Sequence, residues 1–421
     1  MASFDDHTQA LAWLDAERAN LVTAVQHAAA HGLQAAAWLL ADSLRGYFWL
    51  RMHTVDWLTV ARAGLAAAEA DGDLRGQAAA RLSLADLHNR QGRYQQAVEH
   101  YSRASRLARE SGWPEGESTT RSNLGIVYWQ SGRLREAADH LTRALEIDRE
   151  TGWLAGQAVK HGNLGNLYLE LGSLPEATDH LTQALALHRR LGSRSGEAMS
   201  LATLGATCHA LGRLDQAVDH LTAALTLIRE VGYRGVEAET LRLLAAVHRD
   251  AGRHNQALEL AQAAVALARD TGDRQYETDA LDTLATIHQR LARPDRARAH
   301  ASRALVMARE AGLQLLEGQA LATLAGIDLD QGEPDQARQH AEQALELHRA
   351  TGHRLGQARA LVTLGRALRD SGGAEAALPC WREALALFTE AGSPEADQIR
   401  ALLRAARHRP NAVGGPARTN R

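Results

Sequence analysis

Histidine recurs at a fixed step along this 421-residue chain, as His100, His140, His180, His220, His300 and His340. Imidazole is both a metal ligand and a general base, so a regular series raises two chemistries. The step argues against the first. Zinc ligands lie about 2.1 Å from one ion, whereas neighbouring packed helices stand about 8–10 Å apart. Equivalent side chains of successive helical units cannot close on one metal, and the expected role is a surface or inter-repeat histidine. His27 and His31 stand at i,i+4 and could share an ion, but at the end of a helix the favourable partial charge there is the preferred explanation. No metal and no cofactor is expected. The chain has no G-x-S-x-G elbow, no H-E-x-x-H pair and no cysteine with a histidine partner by sequence context. Its many carboxylates are spaced as on any solvated helix surface. An enzyme is not expected.

The elements that carry these residues repeat every 40 positions. Leu84, Leu124, Leu164, Leu204, Leu244, Leu284, Leu324 and Leu364 are all leucine, and the alanine series Ala97 to Ala377 and Ala104 to Ala384 keep the same step. Glycine closes each unit, from Gly72 to Gly392. One unit, Gly156 to Gly192, reads as two amphipathic helices with Leu164, Leu167, Tyr168 and Leu171 on one stripe and Ala177, Leu181, Ala184 and Leu185 on the other. Pro175 opens the second helix, where its missing N–H is harmless. Neither helix can bury its stripe alone, so the hairpins must stack, which predicts a helical solenoid.

Against this register one column is irregular. Three residues before the leucine, later units carry Leu201, Leu241, Leu281, Leu321 and Leu361, but the first three carry Arg81, Arg121 and His161, with Lys160 adjacent. Polar groups at an otherwise apolar position need partners if buried. Either they form a partly cationic pocket for an acidic peptide or small effector, or their stems snorkel along the stack.

Composition agrees with a solenoid. Aromatics make up only 4%, and the net charge of −3 gives no basic field for nucleic acid. Lys160 is the only lysine against a large excess of arginine, a bias that fits a GC-rich genome. Cys208 and Cys380 fall more than four units apart, too far for a disulfide, and are expected as small apolar fillers. No run reaches the roughly 18 apolar residues of a membrane span, and the polar start MASFDDHTQA is unlike a signal peptide. A cytoplasmic protein is expected.

The spacing Leu164-Gly165, Tyr168, Ala177, Leu181, Ala184 resembles the tetratricopeptide repeat, in an extended form of 40 rather than about 34 residues. The resemblance implies an all-α right-handed superhelical solenoid of about nine helix-turn-helix repeats. It also implies a concave face lined by first helices: Leu82, Asp86 and Asn89, then Ser122, Asn123, Ile126 and Trp129, then Asn163, Asn166 and Glu170. Asn123 and Asn163 match the asparagine that bonds a peptide backbone in extended repeats, or else they tie one unit to the next. Later units have Thr203, Leu243, Thr283, Thr323 and Thr363 there. A chaperone-type carboxylate clamp needs paired lysines and is disfavoured.

The map that follows has an N-terminal capping helix at 1–32, a divergent unit at 33–72, eight units at 73–392, a capping helix at 393–409 and a disordered tail at 410–421. Trp13, Trp38, Trp49 and Trp57 concentrate in the first segment. They either seal the end of the stack or form a docking face. ALAWLDAERANLVTAVQHAAAHG followed by YFWLRMHTVDWLTVARAGLAAAEADGD resembles the junction between the NB-ARC (STAND) module and the C-terminal repeats of the SARP-type antibiotic-biosynthesis regulators of actinomycetes. That resemblance implies a sensing arm controlling a nucleotide switch. No G-x-x-x-x-G-K-S/T phosphate loop or winged DNA-binding segment is in the chain. The expected partner is a protein or peptide, an upstream NB-ARC module among the candidates, or a small effector. Self-association stays open, a free-standing peptide-binding adaptor is the alternative, and a small-molecule-binding or catalytic solenoid ranks last.

Overall fold

The structure, a computed structural model, describes residues 7–407. Over them it is all helical, with twenty-one helices and no strand. The tail at 410–421 and the end of the expected C-terminal cap lie outside the described residues. The chain opens with α1 (His7–Ala30), α2 (Gln34–Ser43), α3 (Arg45–Arg51) and α4 (Thr54–Asp71). Eight hairpins follow: α5 (Leu74–Arg90) with α6 (Tyr94–Glu110), α7 (Pro114–Gln130) with α8 (Leu134–Glu150), α9 (Leu154–Leu171) with α10 (Leu174–Arg190), and α11 (Arg194–Ala210) with α12 (Leu214–Val231). The last four are α13 (Arg234–Asp250) with α14 (His254–Thr271), α15 (Arg274–Arg290) with α16 (Pro294–Ala311), α17 (Gln314–Asp330) with α18 (Pro334–Thr351), and α19 (Arg354–Gly372) with α20 (Ala374–Ala391). The short α21 (Glu395–Arg407) ends the described chain. Residues up to 164 form one compact unit and those from 165 a second, the boundary falling inside α9.

In the divergent unit at 33–72 the first helical stretch is divided at Leu44, between α2 and α3. The Ser43 hydroxyl donates back to the Leu39 carbonyl at 2.8 Å, a bond that bends helices, and Gly46 follows as a weak helix former. Elsewhere the glycine turns hold. Inside the hairpins Gly92, Gly132, Gly172, Gly212, Gly252 and Gly332 take the same left-handed turn, and Ala292 keeps it at φ 52°, a conformation unfavourable for a residue with a Cβ.

Matched volumes hold each hairpin together. A Cβ placed on Gly165 would lie 2.4 Å from Leu181 Cγ, and one on Gly365 would lie 2.3 Å from Trp381 Nε1. Gly125 and Gly205 face Leu141 and Leu221 in the same way. Where the second helix carries the smaller Ala261, Ala301 and Ala341, the first carries Ala245, Ala285 and Ala325, all buried. A second pairing joins one hairpin to the next: Asp148, His188 and His348 crowd Gly156, Gly196 and Gly356. At Ala268 and Ala308 the sequence has Tyr276 and Leu316 at the matching positions. Such complementarity keeps a core at close packing without a fixed residue at either site.

Within the second unit, α11, α13, α15, α17 and α19 touch in series, while the second helices of successive hairpins do not pack on one another to that extent. The first helices therefore form the inner layer of a curve. The curve closes on itself: Leu355 and Ala391 lie against Gly172, and the Pro394 ring lies 2.8 Å from where a Cβ on Gly212 would be. Leu174, Leu355 and Ala391 share one apolar core.

Candidate functional site

The inner layer of the second unit carries a connected set of charges. Arg242 on α13 donates to Glu239 on its own helix at 2.6 Å and lies 3.3 Å from Asp279 on α15. One turn on, Asp282 shares a hydrogen bond with Thr323 of α17. Toward the other end of the same helices, His209 Nε2 is 2.7 Å from Asp250. Arg249 donates to both Asp250 and Thr286, and Gln289 donates to Asp330 at 2.7 Å. Arg359 of α19 pairs with Glu395 of α21 at 3.0 Å, within electrostatic reach of Asp250 on α13.

Enclosure tunes these groups in opposite directions. Burial would raise the Asp250 carboxyl, but hydrogen bonds from His209 and Arg249 outweigh it and hold it well below the usual range. Burial pushes Asp279 up against the pull of Arg242, with Glu239 and Asp282 adding to the rise. Burial also pushes Asp282 up to about 6, opposed by the Thr323 hydrogen bond and by Arg249 and Arg242.

The residues expected to line a site in the first repeats are placed differently. Arg81 reaches back to Glu69 of α4 at 2.9 Å. Arg121 and Arg109 both bind Glu117, at 2.8 and 2.9 Å. Burial would raise Glu117, and the two arginines more than offset it, so its carboxyl stays low. His161 is buried, 3.4 Å from Arg149 of α8. Arg81 and His161 thus face the second helices before them, while Arg121 pairs along its own helix with Glu117, which Arg109 of α6 also holds. Lys160 is buried too, 3.2 Å from the fully buried Asp148 and 4.8 Å over the Trp153 ring.

Asn123 donates to Asp86 of the preceding hairpin at 3.1 Å, where Tyr101 and Arg45 also converge. Asn166 accepts from Thr203 at 3.0 Å. Both therefore tie one hairpin to another. Asn89, Trp129, Asn163 and Glu170 are half-buried on their helices. Leu82 and Ser122 are buried.

The four N-terminal tryptophans separate into two pairs. Trp57 is fully buried, donates to Ser83 at 2.8 Å and stacks on Phe48, and Trp38 packs against Gly76. Trp13 and Trp49 keep 41% and 38% of their surface, with Arg90 lying over the Trp49 ring.

The histidine series has a role the spacing did not reveal. His140 and His180 stack on Tyr128 and Tyr168, and His100 and His300 stack on His88 and His288, each within its own hairpin. These contacts correct the expected surface or inter-repeat placement. His340 instead meets Asp328 at 2.6 Å. Burial pushes His100 down to about 4 and lowers His140, His288 and His300 for the same first cause. His27 and His31 stack on each other. Among the described residues no group of three or more potential ligands could hold a metal, and no helix is long and apolar enough to cross a membrane. Both cysteines are free thiols.

The charged inner set was not anticipated, although a signal existed. Two residues before the repeat leucine, the other units have Leu82, Ser122, Gly162, Ala202, Ala322 and Val362, whereas these two have Arg242 and Asp282. Five residues before it, the charged exceptions are Glu239, Asp279 and Arg359.

The hairpins and their sequence register define a tetratricopeptide-repeat protein. The family matches residues 76–150, 156–230, 236–310 and 316–407, and the chain belongs to it. A search of curated proteins returns no match. Among solved structures the fold is similar to aspartyl phosphate phosphatase F from Bacillus subtilis (12% identity, TM-score 0.58, 83% of this chain and 96% of that one). It is also similar to the Rap conjugation gene regulator of plasmid pLS20 in complex with the Phr peptide (14%, 0.57, 79% and 95%). A third is a STAND protein with a tetratricopeptide repeat sensor from Pyrococcus horikoshii (13%, 0.51), where the match covers 89% of this chain and 55% of that one.

Proposed function

We propose that this chain is a non-catalytic sensing arm that takes an extended peptide along the inner layer of first helices in its second unit. The observation that carries this reading is the connected polar set from Glu239 to Asp330. Its side chains run from the half-buried Glu239, Arg242 and Asp279 to the exposed Asp250 and Asp330 along the inner layer. An extended backbone needs such alternating donors and acceptors. The peptide-bound Rap regulator of similar fold supports the choice of ligand class.

The finer reading is that the arm belongs to a SARP-type regulator of an actinomycete, acts in the cytoplasm, and restrains an NB-ARC module docked on the exposed Trp13 and Trp49. The STAND protein with a repeat sensor supports that arrangement. The alternative, a free-standing adaptor, uses the same inner layer. A phosphate-loop module in the same genomic reading frame would select the regulator.

Random heptapeptide phage selected on the chain test the binding surface. Selected clones should lose binding to Arg249→Ala or Thr286→Ala and keep it for Arg303→Glu, whose site is exposed on α16. Clones equally sensitive to Arg303→Glu would refute the inner surface.

A further inference from the structure

The second helix of the divergent unit, α4, departs from its counterparts at three positions that share one helical face, Val55, Thr59 and Arg62. At the register of Thr59 five other units carry an acid: Glu99, Asp139, Asp179, Asp219 and Glu259. At that of Val55 four do: Asp215, Asp295, Asp335 and Glu375. Where α4 has Arg62, the next four units have Ser102, Thr142, Thr182 and Thr222. Acids are thus withdrawn from this face and an arginine is added to it.

The same face borders a cavity of about 420 Å³ between the start of α4 and the turn from α5 to α6. Val55, Leu58, Thr59 and Arg62 form one wall, and Gln91 and Arg93 stand on the other. Among the described residues neither guanidinium makes an ion pair. His88, also on the cavity wall, is lowered first by burial and then by Arg93 and Arg62, with no carboxylate acting against them. Asp56, next to Val55, is held by Arg18 at 3.2 Å. Val55 meanwhile keeps 77% of its surface, an apolar side chain left open where other units are polar. The cavity therefore joins unbalanced positive charge to an apolar wall, in a chain whose net charge is −3. An arginine placed for solubility alone would not require its neighbouring acids to be removed.

We propose that this cavity binds a carboxylate carried on an apolar body, such as an acidic residue flanked by aliphatic or aromatic side chains. The site belongs to the first unit and is independent of the peptide reading for the second. Arg62 and Arg93 supply charge-assisted donors, the Gln91 amide adds a neutral one, and Val55 and Leu58 cover the apolar part. The volume falls within the range of small-ligand pockets, about 300–1,000 Å³. Inorganic phosphate would leave the apolar wall unused. Arg81, Arg121 and His161 are not the cations of this site, since each has a partner of its own.

Saturation-transfer NMR on the full chain tests the site with two matched pairs of probes. One pair is acetyl-Leu-Glu-Leu-amide and its glutamine counterpart, and the other is hydrocinnamate and hydrocinnamide. In one pair or both, the acid should bind about 10-fold tighter than the amide, the worth of one charge-assisted contact. The pair that shows it tells a peptide source from a free small acid. Arg62→Gln/Arg93→Gln should bring the ratio to near one, and Arg303→Glu on the exposed side of α16 should leave it unchanged. Thr59→Glu, which restores the acid found at Glu99 and Glu259, should abolish the preference by occupying the cations from within. Circular-dichroism melts confirm that each variant keeps its fold. Amides binding as well as acids, a preference that survives the double variant, or no probe binding would overturn the site. Inorganic phosphate displacing the acids at equal concentration would overturn the role of the apolar wall. All of these outcomes leave the inner-layer reading, tested through Arg249 and Thr286, untouched.

Discussion

The two compact units use polar residues on their first helices in opposite ways. In the first, the carboxylates are deeply buried and each is held by its own partners: Asp86 by Arg45, Tyr101 and Asn123, and Asp148 by Lys160. Such networks fix which helix meets which, because a shifted register strands a charge. In the second, the charges lie shallower: Arg242, Asp279 and Glu239 keep 15%, 21% and 25% of their side-chain surface. Depth holds a charge to its structural partner, and partial exposure leaves one within reach of solvent and ligands. The contrast separates two kinds of polar residue that look alike in a sequence.

The largest effect expected from this contrast is at Lys160. Lys160→Thr leaves Asp148 charged and buried without a partner, which should cost about 3–5 kcal/mol in urea denaturation. The double variant Asp148→Ile/Lys160→Thr copies the residues at Ile228 and Thr240 and should recover most of it. A single variant as stable as the parent would mean that the pair does not set the register.

An intermediate effect of opposite sign is expected at Asp282. Its carboxyl is raised in the folded chain to about 6, so the folded state holds its proton longer than the unfolded one. The stabilising contribution is therefore full below about pH 4 and lost as pH rises through about 6. Asp282→Asn removes that loss and should stabilise the chain at pH 8 by on the order of 1–3 kcal/mol, with no gain at pH 4. Thermal melts at the two pH values decide it. A variant less stable at pH 8 would place Asp282 with Asp86 and Asp148 among the groups that hold the stack together.

The smallest effect is at Arg81, whose partner Glu69 keeps 49% of its side-chain surface. Arg81→Ala should cost less than about 1 kcal/mol. A loss several times larger in the same denaturation would move Arg81 into the class of Lys160.

Most of the fold could be read from the chain because the repeat fixes both a period and the residue sizes within it. Leu164, Ala177 and Gly192 recur where a hairpin needs a large residue, a close approach and a left-handed turn. The site was harder to read, for a physical reason. Periodicity reports what all units have in common, whereas a binding surface lies in the positions where they differ. Arg81 and His161 do differ, but toward the helix behind them, and Arg121 toward Glu117 on its own helix, and the sequence carries no sign of those directions. Asp279 and Asp282 differ toward the inner layer. Only the closure of the second unit shows that their surroundings are too confined to be ordinary helix surface. The break at Leu44 falls in the one divergent unit, where the period is weakest.

That closure has a thermodynamic consequence. In a stack of hairpins each element feels only its neighbours, so ends fray and stability grows by increments. Here Pro394 and Leu355 also press on Gly212 and Gly172, four to five hairpins earlier in the chain. The loop so formed must be gathered before those contacts exist. Melting should therefore engage this half of the protein as a block, and losing α21 would loosen α11 along with its own neighbours.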